Sequence, residues 1–459
     1  MRDAMTADAE DQPTPFNLYQ GDCIEVMRTL PDNSVDAIVT DPPYELGIMG
    51  KSWDASGIAN NVNMWREALR VLKPGGHLLA FSGSRTYHRI TCAIEDAGFE
   101  IRDQIMWVYG SGFPKSLDVS KAIDKTAGAE REVLAEGKAV KRMIPGADQD
   151  RTGSWIKDNG REYVPQTTRA ATPSAKHWEG WGTALKPAHE PIAVARKPLA
   201  KGLTVAANVL QFGTGALNID GCRVGEDSTR RATLKIMTSR GAAGDSYANQ
   251  DHRYADRSSS YPTGSDAGRW PANLIHDGSD GVVALFPQQE SGSRAAGVRT
   301  GMGFHGADGD GGPAIAGSAG SASRFFYCAK ASRADRNEGL SSSSAPAVAT
   351  DATMRDCETV DWSTRNGNHH PTVKPTDLMA YLVRLVTPPG GLVLDPFMGS
   401  GSTGKACMRE GFRFAGIDMT PEYVEIARAR IEHEHAAFTA ATQQVAVPES
   451  QLSLFGEVA

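Results

Sequence analysis

At 459 residues the chain exceeds one ordinary domain and has room for two, or for one core carrying a large insertion. A 40% hydrophobic content suits a globular protein, and no apolar run is long enough to span a bilayer, so a membrane-spanning helix is not expected. The net charge of −7 argues on its face against nucleic acid, but residues 1–140 carry about −7, 141–340 about +5 and 341–459 about −5. A basic centre between acidic flanks is expected where the middle of a chain meets phosphate. Met1 to Pro15 is acidic and polar, without the hydrophobic core of a secretory signal. Six cysteines are scattered, at Cys23, Cys92, Cys222, Cys328, Cys357 and Cys407. None forms a C-x-x-C pair, so neither zinc nor a disulfide framework is indicated, and a reducing cytoplasm fits.

Along the chain, Val35 to Thr40 is a β-branched run ending at Asp41-Pro42-Pro43-Tyr44. Trp65 to Leu72 has helical apolar spacing and stops at Lys73-Pro74-Gly75-Gly76. His77 to Phe81 reads as a strand, Tyr87 to Ala97 as a helix ended by Gly98, and Gln104 to Tyr109 as a further strand. Strands alternating with helices indicate a parallel α/β sheet. From about Ser116 to Gly367 the pattern degrades into Gly, Ser, Arg and Asp clusters, with islands of order at Glu190 to Ala195, Asn208 to Phe212 and Arg324 to Ala329. The α/β pattern returns with a helix over Thr376 to Val386, a strand over Gly391 to Asp395, a helix from about Ser402 to Arg409, a strand over Arg413 to Asp418 and a helix over Pro421 to His433. The boundaries read as a flexible N-terminus (1–15), a first α/β half (16–115), an inserted variable region (116–367, with 180–200 returning to the core), a second α/β half (368–435) and a flexible tail (436–459).

Two segments carry chemistry. Leu392 to Gly404 is a strand, a glycine-rich turn and a helix start, in which glycines let a ligand approach the backbone and the helix N-terminus favours a carboxylate or phosphate. Gly416-Ile417-Asp418 then ends the next strand with an acid, where a ribose-binding carboxylate belongs in a nucleotide fold. No P-loop lysine follows the turn, and its spacing is not G-x-G-x-x-G. Asp41-Pro42-Pro43-Tyr44 sits at the carboxyl end of a predicted strand, where open α/β sheets bind ligands. Its prolines stiffen the turn, holding the Asp41 carboxylate and the Pro42 carbonyl as fixed acceptors. Two acceptors gripping an exocyclic amine would aim its lone pair at an electrophilic methyl group, and Tyr44 offers a face for a flipped base.

The D-P-P-Y and D-P-F-x-G-S-G…G-I-D motifs, in that order, resemble the β group of S-adenosylmethionine-dependent DNA amino-methyltransferases, the N6-adenine/N4-cytosine family. The resemblance implies an α/β fold: a permuted Rossmann-like methyltransferase sheet with a long irregular inserted target-recognition region. It implies catalysis by Asp41, Pro42, Pro43 and Tyr44, and S-adenosyl-L-methionine bound by Asp22, Lys374, Asp395, Phe397, Gly399, Gly401, Thr403 and Asp418. Asp22 would contact the cofactor's adenine, and His370-Pro371-Thr372-Val373-Lys374-Pro375 resembles the motif that closes over its methionine end. Ala188-His189-Glu190-Pro191 resembles the last motif before target recognition; it either caps a strand or lines the base pocket. Aspartate at the head of the first motif leans towards N6 of adenine over N4 of cytosine.

No cysteine follows a proline, which disfavours C5-cytosine chemistry through a thiolate, and the zinc deaminase signature is absent. An RNA or protein N-methyltransferase, or a relative that only binds DNA, are the competing readings. In the variable middle, Arg223, Arg230, Arg231, Arg240, Arg253, Arg257 and Arg269 are interleaved with Tyr247, Tyr254, Tyr261 and Trp270, types that read base edges or stack; a solvated insertion is the plainer alternative. The C-terminal Gln451-Leu452-Ser453-Leu454-Phe455 resembles the motif by which bacterial replication and repair proteins bind the sliding clamp, although the same apolar cluster could fold back on the chain. The expected partners are double-stranded DNA, that clamp and, in a homodimer, a second copy of the chain; no metal and no membrane are expected.

Overall fold

The computed structural model describes residues 14–46, 56–112, 116–137, 140–141, 162–225, 268–290, 319–329, 334–340, 368, 370 and 372–445. At its centre is a nine-stranded sheet. Its strands are β1 (Phe16–Gln20), β2 (Val35–Thr40), β3 (Leu72–Phe81), β4 (Glu100–Val108), β5 (His189–Arg196), β6 (Leu274–His276), β7 (Tyr327–Cys328), β8 (Leu392–Asp395) and β9 (Arg413–Asp418). The order across the sheet is β1-β9-β8-β2-β3-β5-β4-β6-β7. Every strand but β5 runs the same way; β5 is antiparallel to both neighbours, with Phe81 opposite Ile192 and Val108 opposite His189. The expected parallel α/β sheet is therefore present with one reversed strand.

The helices of seven or more residues are α1 (Cys23–Thr29), α2 (Val62–Val71), α3 (Tyr87–Asp96), α4 (Val119–Thr126), α5 (Val205–Phe212), α6 (Thr376–Val386), α7 (Ser402–Glu410) and α8 (Pro421–Val445). All six residues of β2 are buried, as a central strand covered on both faces demands. One face packs on α6 and α7 through Val39, Leu378, Leu382 and Ala406; the other packs on α2 and α3 through Ile38, Trp65, Ala68 and Ile94. Trp65 is fully buried and its indole N–H donates to the Ala59 carbonyl (2.8 Å), so burial leaves no polar group unmet.

The two α/β halves, far apart in sequence, interleave in space. β8 lies beside β2, with Leu394 opposite Ile38, and β9 lies between β8 and β1. The last strands of the chain thus fill the gap between its first two.

Three boundaries differ from the sequence reading. β6 and β7, within 116–367, extend the main sheet beyond β4, and α5 packs beneath β3, where Asn208 donates to the carbonyls of Pro74 (2.8 Å) and Thr214 (2.8 Å). The region is a set of excursions from the core, because strands this short carry too little alternation to read. Residues 334–340 belong to the second half. There the buried Asp335 accepts from Thr376 N–H (2.7 Å) at the head of α6 and from Lys405 Nζ (2.6 Å) on α7. Finally, α8 continues to Val445, past the expected end at His433 and ten residues into the segment expected to be a flexible tail. Alanine-rich sequence extends a helix already nucleated by packing without needing an apolar stripe of its own. Gln451 to Phe455 lie outside the described residues.

Candidate active site

The carboxyl edge of the sheet gathers the predicted residues. Asp41 follows β2, Gly399 follows β8, Asp418 ends β9 and Tyr109 follows β4. Because β5 is reversed, its first residues, His189 and Glu190, arrive at this edge while its end lies at the opposite one. A parallel strand would have carried them away.

Around Asp41 the side chains form one network. The Tyr44 hydroxyl lies 2.8 Å from Asp41 Oδ1 and 2.9 Å from Glu190 Oε2. Lys374 Nζ donates to Asp41 Oδ2 (2.5 Å), lies 3.4 Å from Glu190 Oε2 and 3.3 Å from the Tyr44 oxygen. The ammonium also sits 5.0 Å from the Phe81 ring centroid and 5.4 Å from that of Tyr44. Burial alone would lower the Lys374 pKa, but the two carboxylates outweigh it and hold it above the usual lysine value. Burial, then Asp41 and Glu190, push the Tyr44 phenol well above its ordinary range; burial and Glu190 push Tyr109 up to about 12. Both phenols are therefore neutral hydrogen-bond donors at neutral pH.

The turn bearing Asp41 is pinned by a residue that sequence reasoning missed. Glu45 has left-handed backbone (φ 54°), and its carboxylate accepts from the N–H groups of Gly57 (2.8 Å) and Ala59 (3.3 Å). Pro42 is buried and Pro43 partly so.

One step away stands the glycine turn. The buried Asp395 carboxylate accepts from Thr40 Oγ1 (2.6 Å), Phe397 N–H (3.0 Å) and Thr403 Oγ1 (2.6 Å). Burial lifts it to about 6 against the pull of these donors. Thr40 immediately precedes Asp41, so a single hydrogen bond couples the two motifs. Asp395 and Thr403, expected at the ligand, instead frame the turn from within. Gly399 (φ 52°) and Gly401 (φ 79°) need left-handed backbone, and a Cβ on Gly399 would stand 2.7 Å from His370 Nε2. His370 lies edge-on to Tyr423 (4.6 Å between centroids), and burial with the nearby Lys374 and Arg336 charges holds it neutral at a pKa of about 3. Arg336 donates to the His370 carbonyl (2.6 Å), fixing that segment over the turn.

Asp418 Oδ2 accepts from Gly399 N–H (2.9 Å) and its Oδ1 from Thr420 N–H (2.8 Å). With the Thr420 side chain also bonded to it, the carboxylate still has acceptor capacity for a ligand hydroxyl. Asp22 is exposed at the same edge, and its Oδ1 caps α1 through Ile24 N–H (2.9 Å) and Glu25 N–H (3.1 Å). Phe397 is half-buried. Lys374, expected with the cofactor residues, stands at Asp41 instead. Among the described residues no cluster could hold a metal ion, and no helix is long and apolar enough to cross a membrane.

Of the arginines and aromatics expected to read DNA, Arg223, Arg269 and Trp270 are described. Arg223 pairs with Asp220 (2.7 Å) and reaches the Gly268 carbonyl (3.3 Å), and Arg269 lies 4.0 Å from the Phe325 ring centroid. Both are engaged in joining the ends of residues 226–267, where Val224 and Arg269 exchange backbone hydrogen bonds of 3.0 and 2.9 Å. Arg230, Arg231, Arg240, Arg253, Arg257, Tyr247, Tyr254 and Tyr261 lie outside the described residues.

The N6_N4_Mtase family, described as DNA methylase, matches residues 35–429. The type II methyltransferase M2.DpnII of Streptococcus pneumoniae is 48% identical over 66 residues, which are 14% of this chain and 25% of that protein; the chain thus matches about a quarter of this relative's length. Solved structures to which the chain is similar include the cytosine-N4-specific PvuII DNA methyltransferase, at 14% identity and a TM-score of 0.39 (94% of this chain, 92% of that one). Another is an M1.HpyAVI–SAM complex, at 15% identity and a TM-score of 0.32 (90% and 98%).

Proposed function

This chain belongs to the N6/N4 DNA methylase family, and from that premise we propose that it methylates the exocyclic N6 of an adenine turned out of double-stranded DNA, with S-adenosyl-L-methionine as donor. The observation that carries the reading is the Asp41–Tyr44–Glu190–Lys374 network set one hydrogen bond, Thr40 to Asp395, from the glycine turn. When bound, the donor supplies an electrophilic methyl group on sulfur. The turn that Gly399 and Gly401 form in left-handed backbone would receive it, Asp418 would accept from its ribose, and Asp22 and Phe397 would flank its adenine.

An exocyclic amine shares its lone pair with the ring and attacks poorly, so the protein must orient it rather than activate a nucleophile of its own. Asp41 and the Pro42 carbonyl accept its two hydrogens, directing the lone pair at the methyl, while Tyr44 stacks on the base. Both Asp41 oxygens are already engaged, one by Tyr44 and one by Lys374. The incoming amine takes the place of the ammonium, which has Glu190 within 3.4 Å to receive it. Asp41 at the head of the motif favours adenine, and the layout, with the catalytic strand first, fits the permuted β group. Incubation with labelled S-adenosylmethionine and separate pools of unmethylated plasmid, RNA and protein extract tests the substrate class. Label appearing only in RNA or protein would defeat the DNA reading. Base-modification sequencing of DNA from expressing cells separates N6-methyladenine from N4-methylcytosine and gives the site.

The Gln451–Phe455 motif supports a second contact, with a bacterial sliding clamp: its glutamine amide suits a pocket rim and Leu452, Leu454 and Phe455 suit apolar subsites. Leu454→Ala with Phe455→Ala should abolish capture by purified clamp and leave methylation of free DNA unchanged. Equal binding by the wild type and the double variant, or none by either, would remove the clamp from the account.

A further inference from the structure

Methyl transfer leaves a problem that orientation does not solve. As the amine nitrogen forms its bond to carbon and the carbon–sulfur bond breaks, sulfur keeping the electron pair, nitrogen becomes cationic with two hydrogens. One proton must leave. Glu190 is the partly buried carboxylate on that route, delivered by the reversed strand β5 and joined to Asp41 through the Tyr44 hydroxyl as well as the Lys374 ammonium. The Tyr44 hydroxyl has one hydrogen and two carboxylate neighbours, at 2.8 and 2.9 Å. It can therefore donate to only one of them at a time. That is the arrangement of a proton bridge, able to accept from one carboxyl as it donates to the other.

Resting on the methyltransferase reading above, we propose that Glu190 is the terminal acceptor of the amine proton, reached through Asp41 and the Tyr44 hydroxyl. The proton leaves nitrogen for Asp41, and a turn about the Cβ–Cγ bond presents it to Tyr44. The Tyr44 oxygen takes it while its own hydroxyl proton passes to Glu190. Asp41 is again a carboxylate, Tyr44 is again a neutral phenol, and Glu190 carries the proton until solvent removes it. Lys374, displaced from Asp41 by the amine, stays beside Glu190 and offsets its charge before the transfer. The groups facing Glu190 are Tyr44 and Asp41 from the turn after β2, Tyr109 after β4 and Lys374 before α6; Asp395 and His370 stand behind Asp41 and Lys374.

The plain alternative is that Glu190 only holds Lys374 and Tyr44 in place. Glu190→Gln separates the two, since the amide oxygen still accepts from both neighbours but cannot take a proton. The measurement is the single-turnover rate of methyl transfer to a DNA duplex from protein preloaded with S-adenosylmethionine, followed from pH 6 to 9. We expect Glu190→Gln to slow the step by about 100-fold or more, in the range of acid–base contributions. Its donor affinity and its KM for DNA should stay within about threefold of wild type. The slow rate should climb with pH where the wild type is flat, as hydroxide replaces the missing acceptor. Glu190→Asp should recover at least about tenfold, and Tyr44→Phe, which keeps the aromatic face, should show the same loss and the same pH slope. The double variant should be no slower than either single one, because both cut one path. A rate within about threefold of wild type, an unchanged pH profile, or losses that multiply in the double variant would overturn the relay. A wild-type protein that labels no DNA would defeat the methyltransferase reading itself, a result distinct from any of these.

Discussion

Asp41 and Asp418 are both acids at strand ends, yet their surroundings assign them different work. Asp41 is hydrogen-bonded to Tyr44 and Lys374, whereas Asp418 accepts from Gly399 N–H within the glycine turn. Asp41→Ala should therefore reduce methyl transfer by at least about 1,000-fold with donor affinity kept within about tenfold, as isothermal titration and single-turnover assays would show. Asp418→Ala should do the reverse, weakening donor binding first; if both variants lose binding alike, Asp41 has been given the wrong role. Gly399→Ala meets two obstacles, a left-handed φ of 52° and a ring nitrogen 2.7 Å from the new Cβ. His370 is held by the Arg336 bond to its carbonyl and by Asn368, which accepts from its N–H (3.0 Å), so it cannot step aside freely. A cost of about 1–3 kcal/mol is expected from the backbone alone. It should appear as a lowered Tm and weaker donor binding, both absent from Gly281→Ala, whose backbone is not left-handed and whose Cβ meets nothing within 4 Å. Residues of this scale were legible where the motif is contiguous. Asp41, Tyr44, Gly399 and Asp418 could be picked out because each lies in a contiguous motif, and the fold brings all four to one sheet edge. Glu45, Thr40 and Asp335 could not, because each acts on partners brought to it by the fold. Glu190 lay between: its motif was visible, its proximity to Tyr44 was not.

At the scale of elements, periodicity located β2, β4, β8, β9 and helices α2, α3, α6 and α7 to within a few residues, because each buries a full face. β1 escaped, being an edge strand of five residues with a mixed burial pattern. β6 escaped because three residues carry no period, and β7 was visible only as part of the ordered island Arg324 to Ala329. The reversal of β5 is a property of pairing, not of local sequence, and it decides the site. It also creates a testable strain in β3, where His77 faces Arg196 of β5. Burial, then Arg196 and Arg102, hold His77 at about pKa 4, below the ordinary 6.5. A depressed histidine binds its proton more readily in the unfolded chain, so its contribution is complete above about pH 6.5 and is lost as pH falls towards 4. Between pH 7 and 5 that loss is about 2 kcal/mol for His77 alone. Asp395, raised to about 6 by burial, works in the opposite sense over the same range, since its protonation favours the folded state. Comparing denaturant unfolding of wild type and His77→Gln at both pH values cancels the other groups. The variant should lose about 2 kcal/mol less on acidification; an equal loss in both would mean that the fold does not depress the His77 pKa.

At the scale of the molecule, what matters is which edge each excursion leaves from. Residues 110–188 depart after β4 and return into β5 at the carboxyl edge, closed by Tyr109 N–H on the Ala188 carbonyl (2.9 Å) and Lys186 Nζ on the Gly110 carbonyl (2.7 Å). They present Trp178 and Trp181 to solvent in edge-to-face contact. The segments after β6 and β7 leave from the same edge, where Asp277 accepts from Gly110 N–H (2.9 Å). Residues 226–267 leave elsewhere. Their stem, Val224 paired with Arg269, follows Asn218, whose N–H donates to the Leu385 carbonyl at the far end of α6. Lys374 and the site lie at that helix's other end, about 16 Å away along eleven residues. Charge points the same way. The arginine-rich look of 226–267 is matched by its acids, Arg230, Arg231, Lys235, Arg240, Arg253 and Arg257 against Glu226, Asp227, Asp245, Asp251, Asp256 and Asp266. The segment is neutral, and the central positive excess falls on 141–225 instead. On the proposed reaction a duplex donating a flipped base would lie across the carboxyl edge, and we propose that the excursions rooted there, rather than the neutral segment rooted at the far end of α6, read it. Replacing residues 227–266 with a short Gly-Ser linker should therefore leave Tm, donor binding and the methylated sequence unchanged in base-modification sequencing. Trp178→Ala with Trp181→Ala should weaken DNA binding at least about tenfold in an assay run at fixed salt, with donor affinity intact. A linker variant that methylates indiscriminately or not at all would return target recognition to 226–267, against the geometry of its stem.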